Sequence, residues 1–293
     1  MSPPPTANAA ATTIASAAAL EQDARLTAHR REDKYLLTPD QAKAVIGAAN
    51  RNLTPHRFRG DGANLLPGAR HFVTTIYFDT PGRELYRAAR GSSQHLKLRA
   101  KEYYDLHPDL TETATTVGEL VRFQPIVWLE VKSRDAGFTG KQRIGLPKVD
   151  VPAFFAEGRL TEAMVQIHES TFGGDARAAL GAVARLCAGC KEPLRADCLV
   201  NYRRQAWQDD DGALRLTIDT GLAFFQPPAD LWARRRALVR ETLGAPTASE
   251  PRRVLEVKTR GASPDWLREV CDRLTLEPIG FSKFEAASAA IHG

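Results

Sequence analysis

Lysine, arginine and glutamate recur at every second position in several short stretches of this chain. Arg30, Glu32 and Lys34 form one such set, Lys97, Arg99 and Lys101 another, and Glu130, Lys132 and Arg134 a third. Lys141 and Arg143 make a pair, Arg204 follows Tyr202, and Arg215, Thr217 and Asp219 alternate, as do Glu256, Lys258 and Arg260. A spacing of two puts side chains on one face of a β-strand. The opposite faces are apolar: Leu96, Leu98 and Ala100; Leu129 and Val131; Leu214, Leu216 and Ile218; Leu255 and Val257. Guanidinium groups offer bidentate forks to phosphate oxygens and ammonium groups offer point charges. The carboxylates are hard oxygen donors suited to Mg²⁺ or Mn²⁺. The chemistry within reach is the binding of a phosphate chain together with a divalent cation.

Any one of these strands, alone, reads as a solvated outer face, since antiparallel sheets commonly wet one side. Their sum argues for a lining. The faces named above carry thirteen basic residues against four acidic ones, Glu32, Glu130, Asp219 and Glu256, in a chain whose overall charge is only +5. The rest of the chain is therefore net acidic. A generic surface mixes signs more evenly, and a same-sign face on many strands is costly unless a polyanion neutralises it. A sheet of about eight strands closed on itself has room for side chains and one slim ligand. Charged faces would line its inside and apolar faces would meet helices outside.

The elements that must position these residues are legible. Alternation runs near 28–37, 71–79, 94–104, 124–134, 139–146, 198–208, 213–220 and 252–260. Thr38-Pro39-Asp40-Gln41 reads as N-cap, N1 proline and capping-box glutamine of a helix to Asn50. A second helix covers 174–188. Ser263-Pro264-Asp265 opens a third, with Trp266, Leu267, Val270, Cys271 and Leu274 as its apolar stripe. A last helix starts at Ser282, with Glu285 completing a second capping box. Its N-terminus, next to Lys283, is an anion site by dipole and free N–H groups. The plain alternative is an ordinary capped helix packing Phe281 and Phe284. The expected class is α+β: an eight-stranded antiparallel β-barrel tunnel with helices packed outside.

Composition excludes several classes. The 293 residues, 43% hydrophobic, suffice for a sizeable core. No apolar run reaches the ~18–20 residues of a membrane span. Residues 1–25, rich in Ala, Pro and Thr, read as a disordered tail before one domain over 26–293. The tail has no basic n-region or dense apolar stretch, so the reading is a cytoplasmic chain. Four cysteines are too few for a disulfide scaffold. Cys187, Cys190 and Cys198 lack a fourth ligand for structural zinc. No Walker loop or dinucleotide fingerprint is present. The basic strands are poor in aromatics for base stacking, which argues against nucleic acid. Arg234-Arg235-Arg236 reads as a solvated run.

Several of these stretches, in this order, resemble the polyphosphate polymerase domain of the vacuolar transporter chaperone (VTC) family, within the triphosphate tunnel metalloenzymes related to CYTH domains. Arg30-x-Glu32-x-Lys34-Tyr35 resembles the opening strand, Thr75-Ile76-Tyr77-Phe78-Asp79 the "YFD" strand and Lys97-Leu98-Arg99 the paired basic strand. Glu130-Val131-Lys132 resembles the first E-x-K strand. Tyr202-x-Arg204-x-Ala206 and Arg215 to Thr220 resemble the next hairpin, and Leu255-Glu256-Val257-Lys258 and Phe281-Ser282-Lys283-Phe284 the closing pair. The resemblance spans about 28–292.

The resemblance implies an eight-stranded tunnel holding a nucleoside triphosphate or polyphosphate. Carried over, Lys34, Lys97, Arg99, Lys132, Arg204, Arg215, Lys258, Ser282 and Lys283 contact phosphate. Lys34, Arg99, Arg204, Arg215 and Glu256 carry the transfer chemistry. Glu256 is the metal ligand, for Mn²⁺ or Mg²⁺, with Glu130 and Glu32 as weaker candidates that could instead be paired with tunnel bases. Polyphosphate synthesis is the favoured activity; triphosphate or polyphosphate hydrolysis on the same site, or non-catalytic polyphosphate binding, are the alternatives. Two features depart from the family. Lys97 stands where arginine is common, and residues 105–122 form an insertion of unassigned role.

Overall fold

The computed structural model describes residues 31–56, 70–91, 95–106, 126–135, 138–157, 162–172, 176–233 and 238–293. The tail, Arg30, most of the 105–122 insertion and the Arg234–Arg236 run lie outside the described residues, as does the side chain of Arg134. Eight long strands carry the architecture. They are β1 (Arg31–Leu37), β3 (Arg70–Asp79), β4 (His95–Leu106), β5 (Ile126–Asp135), β6 (Phe138–Pro147), β7 (Arg195–Gln208), β8 (Leu214–Phe225) and β10 (Arg253–Thr259). They pair antiparallel in the order β1-β10-β8-β7-β3-β4-β5-β6, with the short β2 (Thr54–Pro55) added to β7 and β9 (Ala248–Glu250) to β8. The hairpin from β7 to β8 turns through Gly212 at φ 62°, a conformation glycine adopts without strain.

The apolar faces read from the sequence form the outer core, except for Leu96 near the start of β4, which is 39% exposed. On one side Val127, Leu129, Ile144 and Leu146 pack under helices α3 (Val151–Glu157), α4 (Glu162–Phe172) and α5 (Ala176–Gly189). On the other, Leu216, Ile218, Leu255 and Val257 meet α1 (Pro39–Asn52) and, after the one-turn α6 (Arg240–Leu243) in the chain, α7 (Asp265–Arg273) through Val45, Leu267 and Val270. Helix α1 starts as expected, with the Thr38–Gln41 capping box formed in both directions. Helix α2 (Glu84–Gly91) follows β3, and Asp79 accepts the N–H groups of Thr80, Leu85 and Tyr86 at 2.7–2.8 Å.

The sheet is not closed, which corrects the expected barrel. Among the described residues β1 and β6 share no ladder. Each edge is met by another group instead. The Ile279 N–H donates to Lys34 O at 2.7 Å on β1, and the Gly145 N–H of β6 donates to His168 Nδ1 of α4 at 2.9 Å. A covered edge offers fewer free backbone groups for further pairing. Curl nonetheless brings the two ends together. Lys132 of β5 and Glu32 of β1, six places apart in strand order, meet at 3.4 Å across the concave face. Not every helix packs outside, either. Helix α8 (Lys283–His292) starts at the hollow, where Phe284 stacks on Tyr77 at 5.1 Å and Lys283 reaches Asp219.

One fully buried ion pair lies on the helix-covered side. Lys148, in the 3-10 turn after β6, sits 2.5 Å from Glu102 of β4, and neither side chain is more than 1% exposed. Replacing Lys148 by alanine strands a buried carboxylate and should cost about 3–5 kcal/mol. Urea unfolding of Lys148→Ala checks this; a loss under about 1 kcal/mol, typical of an exposed pair, would contradict it.

Candidate anion-binding hollow

The concave face is built by register. Lys34 pairs with Glu256, Glu32 with Lys258 and Lys258 with Arg215 across β1, β10 and β8. Arg99 pairs with Glu130, Lys97 with Lys132 and Lys132 with Lys141 across β4, β5 and β6. Cross-strand partners share a face, so these residues, predicted from the period of two, arrive inside the same curl.

Among the described residues, most of the ion pairs of the hollow form one continuous belt. Glu32 meets Lys34 at 3.2 Å, Lys132 at 3.4 Å and Lys258 at 3.6 Å. Lys258 also meets Glu256 at 2.8 Å, and Glu256 lies 3.7 Å from Arg204. Arg204 grips Asp219 with two bonds of 2.6 and 2.7 Å, and Asp219 receives Lys283 at 2.6 Å. The belt thus passes from β5 to β1, β10, β7, β8 and α8. A second group surrounds Glu130, which takes Arg99 at 2.7 Å and Lys101 at 3.7 Å. At one end Lys97 donates to Ser282 Oγ and Glu285, both at 2.9 Å, and Lys34 donates to Phe281 O at 3.1 Å.

Charge crowding shows in the protonation of the lining. Burial would raise the Glu32 carboxyl and so would neighbouring Glu256, but Lys258, Lys132 and Lys34 outweigh both and hold it down at about 2. Burial acts against Glu256 as well, and Lys258, Arg204, Lys34 and Lys283 drive it well below the usual carboxylate range. The lysines show the complementary strain. Burial, aided by Lys258 and Lys34, brings Lys132 down to about 8 against the help of Glu32. Burial next to Arg99, Arg204 and Lys141 takes Lys101 well below its ordinary value. Burial acts against Lys258 as well, but Glu256 and Glu32 outweigh it and raise that ammonium.

The structure brings together every predicted phosphate contact except Arg215, which lies on the same face further along β8 next to Lys258. Arg260 falls past the end of β10 and is exposed, outside the hollow. The candidate metal ligands divide. Glu256 and Glu32 flank the Lys258 ammonium and are both ionised, whereas Glu130 belongs to the separate Arg99–Lys101 group. Among the described residues no three His, Cys, Asp or Glu gather as a metal cage. Two ionised carboxylates facing a basic hollow nonetheless fit Mg²⁺ or Mn²⁺, which take one or two carboxylates and complete their shell with other oxygen ligands and water. The cysteines form no such cage: Cys198 is fully buried and burial pushes its thiol up. Sequence reasoning passed over Asp219 and Lys101 as site residues, although both follow from the alternation that gave Arg215 and Arg99. The role of Glu285 carried no sequence signal beyond a helix cap.

A family profile for the VTC domain matches residues 29–292. The chain belongs to the VTC domain family. Membership of this family supports, in general terms, phosphoryl chemistry on triphosphate or polyphosphate. A comparison with curated proteins gives no match. Among solved structures, a Bacillus halodurans protein proposed to be an adenylate cyclase is similar, with 12% identity, a TM-score of 0.44, and coverage of 86% of this chain and 95% of that one. A likeness of that size carries no weight for function. No helix among the described residues is long and apolar enough to cross a membrane.

The depressed Lys132 makes a pH-dependent signature. Its ammonium is charged below about 8 and neutral above, so affinity for tripolyphosphate should fall as pH rises through that value. Lys132→Arg stays charged throughout and should flatten the fall. Calorimetric titration across that range checks both; an identical pH profile in the two proteins would remove Lys132 from the site.

Proposed function

We propose that this VTC-family protein transfers phosphoryl groups on triphosphate and polyphosphate in a metal-dependent reaction, and that the reaction is polyphosphate synthesis from a nucleoside triphosphate. The observation that supports this reading is the belt itself: Lys132, Lys34, Lys258, Arg204 and Lys283, from five separate elements, share three carboxylates on one concave face. Such a lining has a surplus of cations and the length to follow a linear polyanion.

Phosphoryl transfer depends on positioning and on neutralising charge over the equatorial oxygens. Arg204 and Arg99 are held rigidly by Asp219 and Glu130, so their remaining N–H groups are aimed before substrate arrives. Lys34, Lys97, Lys132, Lys258 and Lys283 add point charges along the chain, Arg215 extends the track, and the Ser282 hydroxyl adds a polar contact. Glu256, with Glu32 behind it, would hold the divalent ion. When bound, the ion supplies Lewis-acid neutralisation at phosphate oxygens. With phosphate or polyphosphate as acceptor, the product is a longer chain lying along the same bases. With water as acceptor, the site would be a hydrolase.

Incubation of the purified protein with ATP and Mn²⁺, resolved on a gel stained for polyphosphate, tests this reading. A ladder is expected. Free phosphate without a ladder would identify hydrolysis, and neither product would leave a binding protein. Glu256→Gln should keep the circular dichroism spectrum and lose metal-dependent turnover by about 10²-fold or more. Full activity in that variant would reject the role given to Glu256.

A further inference from the structure

Among the described residues five carboxylates pair with the bases of the hollow, and four of them stand on strands. Glu285 is the exception, on the first turn of α8. The capping box expected there is only half formed. The Glu285 N–H donates to Ser282 Oγ at 3.4 Å, but the carboxylate does not return to the Ser282 backbone. It turns instead to Lys97 and sits 2.9 Å from the ammonium, which also donates to Ser282 Oγ. The Glu285 side chain is 29% exposed, against 16% for Glu32 and 10% or less for Glu256, Glu130 and Asp219. Of the five it is the most readily returned to water, where a freed carboxylate costs least.

Lys97, Ser282 and the start of α8 together make a set of donors suited to an anion. In the free protein the anion there is part of the protein itself. We propose that Glu285 is a built-in competing anion, occupying Lys97 and Ser282 until a phosphate group of the substrate takes its place. The inference rests on reading the hollow as a phosphate-chain site and says how that site is tuned. A chain anchored on Arg204, Lys132 and Lys258 presents its next phosphate to Lys97 at high effective concentration, whereas an isolated anion does not have that advantage. Glu285 thereby lowers affinity at this end of the track and favours linked phosphates over single ones. The strand carboxylates do not share this role, because each is held by two or more bases or buried to 2% exposure or less.

Calorimetric titration of the full chain with tripolyphosphate tests the proposal. Glu285→Gln retains the size and backbone N–H of the residue and removes its charge; it should bind about tenfold more tightly than the unmodified protein. Glu285→Ala should shift affinity in the same direction. In a Lys97→Ala background, Glu285→Gln should give no gain, since the competition is for Lys97. Unchanged or weaker binding by both Glu285 variants would overturn the proposal and make Glu285 a support for Lys97. A gain that persists without Lys97 would also overturn it, as a general charge effect. Those two outcomes leave the phosphate-chain reading intact. Failure of every protein, the unmodified one included, to bind tripolyphosphate would overturn that reading and this inference with it.

Discussion

The structure depends on keeping many cations dehydrated side by side without letting them push the sheet apart. Coulomb repulsion between like charges grows as water is excluded, and a lining of lysine and arginine alone would unfold or flatten the curl. Carboxylates interleaved at strand registers solve this locally. Each of Glu32, Glu130, Asp219 and Glu256 is shared by at least two bases. Sharing leaves a surplus of positive charge: among the described residues Lys34, Lys97, Arg99, Lys101, Lys132, Arg204, Lys258 and Lys283 face Glu32, Glu130, Asp219, Glu256 and Glu285. That surplus is the physical basis for expecting a polyanion. Exposed pairs elsewhere, such as Arg177–Glu162 at 2.5 Å with both side chains over 60% exposed, contribute at most about 1 kcal/mol and have no comparable consequence.

Residues 279–283 tie together strands that the ladder leaves apart. Ile279 bonds β1, Phe281 O receives Lys34, Ser282 receives Lys97 of β4, and Lys283 reaches Asp219 of β8. Within five residues this segment touches three walls of the hollow. It is held by side chains and a few backbone bonds, not by a ladder.

Much of this was legible in the sequence because a strand's period of two is rigid. Once Lys97 and Arg99 are placed on one face, Lys101 must join them, and Asp219 must join Arg215. Opposite faces then had to be core, as Leu98, Leu129 and Leu255 are. Closure was not legible. Whether β1 meets β6 or is covered by other groups depends on Ile279 and His168, residues with no periodic signature, far from their partners in the chain. Arg260 was misplaced because β10 ends at Thr259 and the period ends with it. Glu285 was read as a cap because local pattern cannot see Lys97, 188 positions away, competing for the same carboxylate.

A crystal structure with tripolyphosphate bound bears most directly on the central claim. Phosphate oxygens should lie within hydrogen-bond distance of Lys132, Lys258 and Arg204 at once, joining opposite walls of the curl through a single ligand. Tripolyphosphate seated on the outer surface, with the belt of ion pairs undisturbed, would contradict the account.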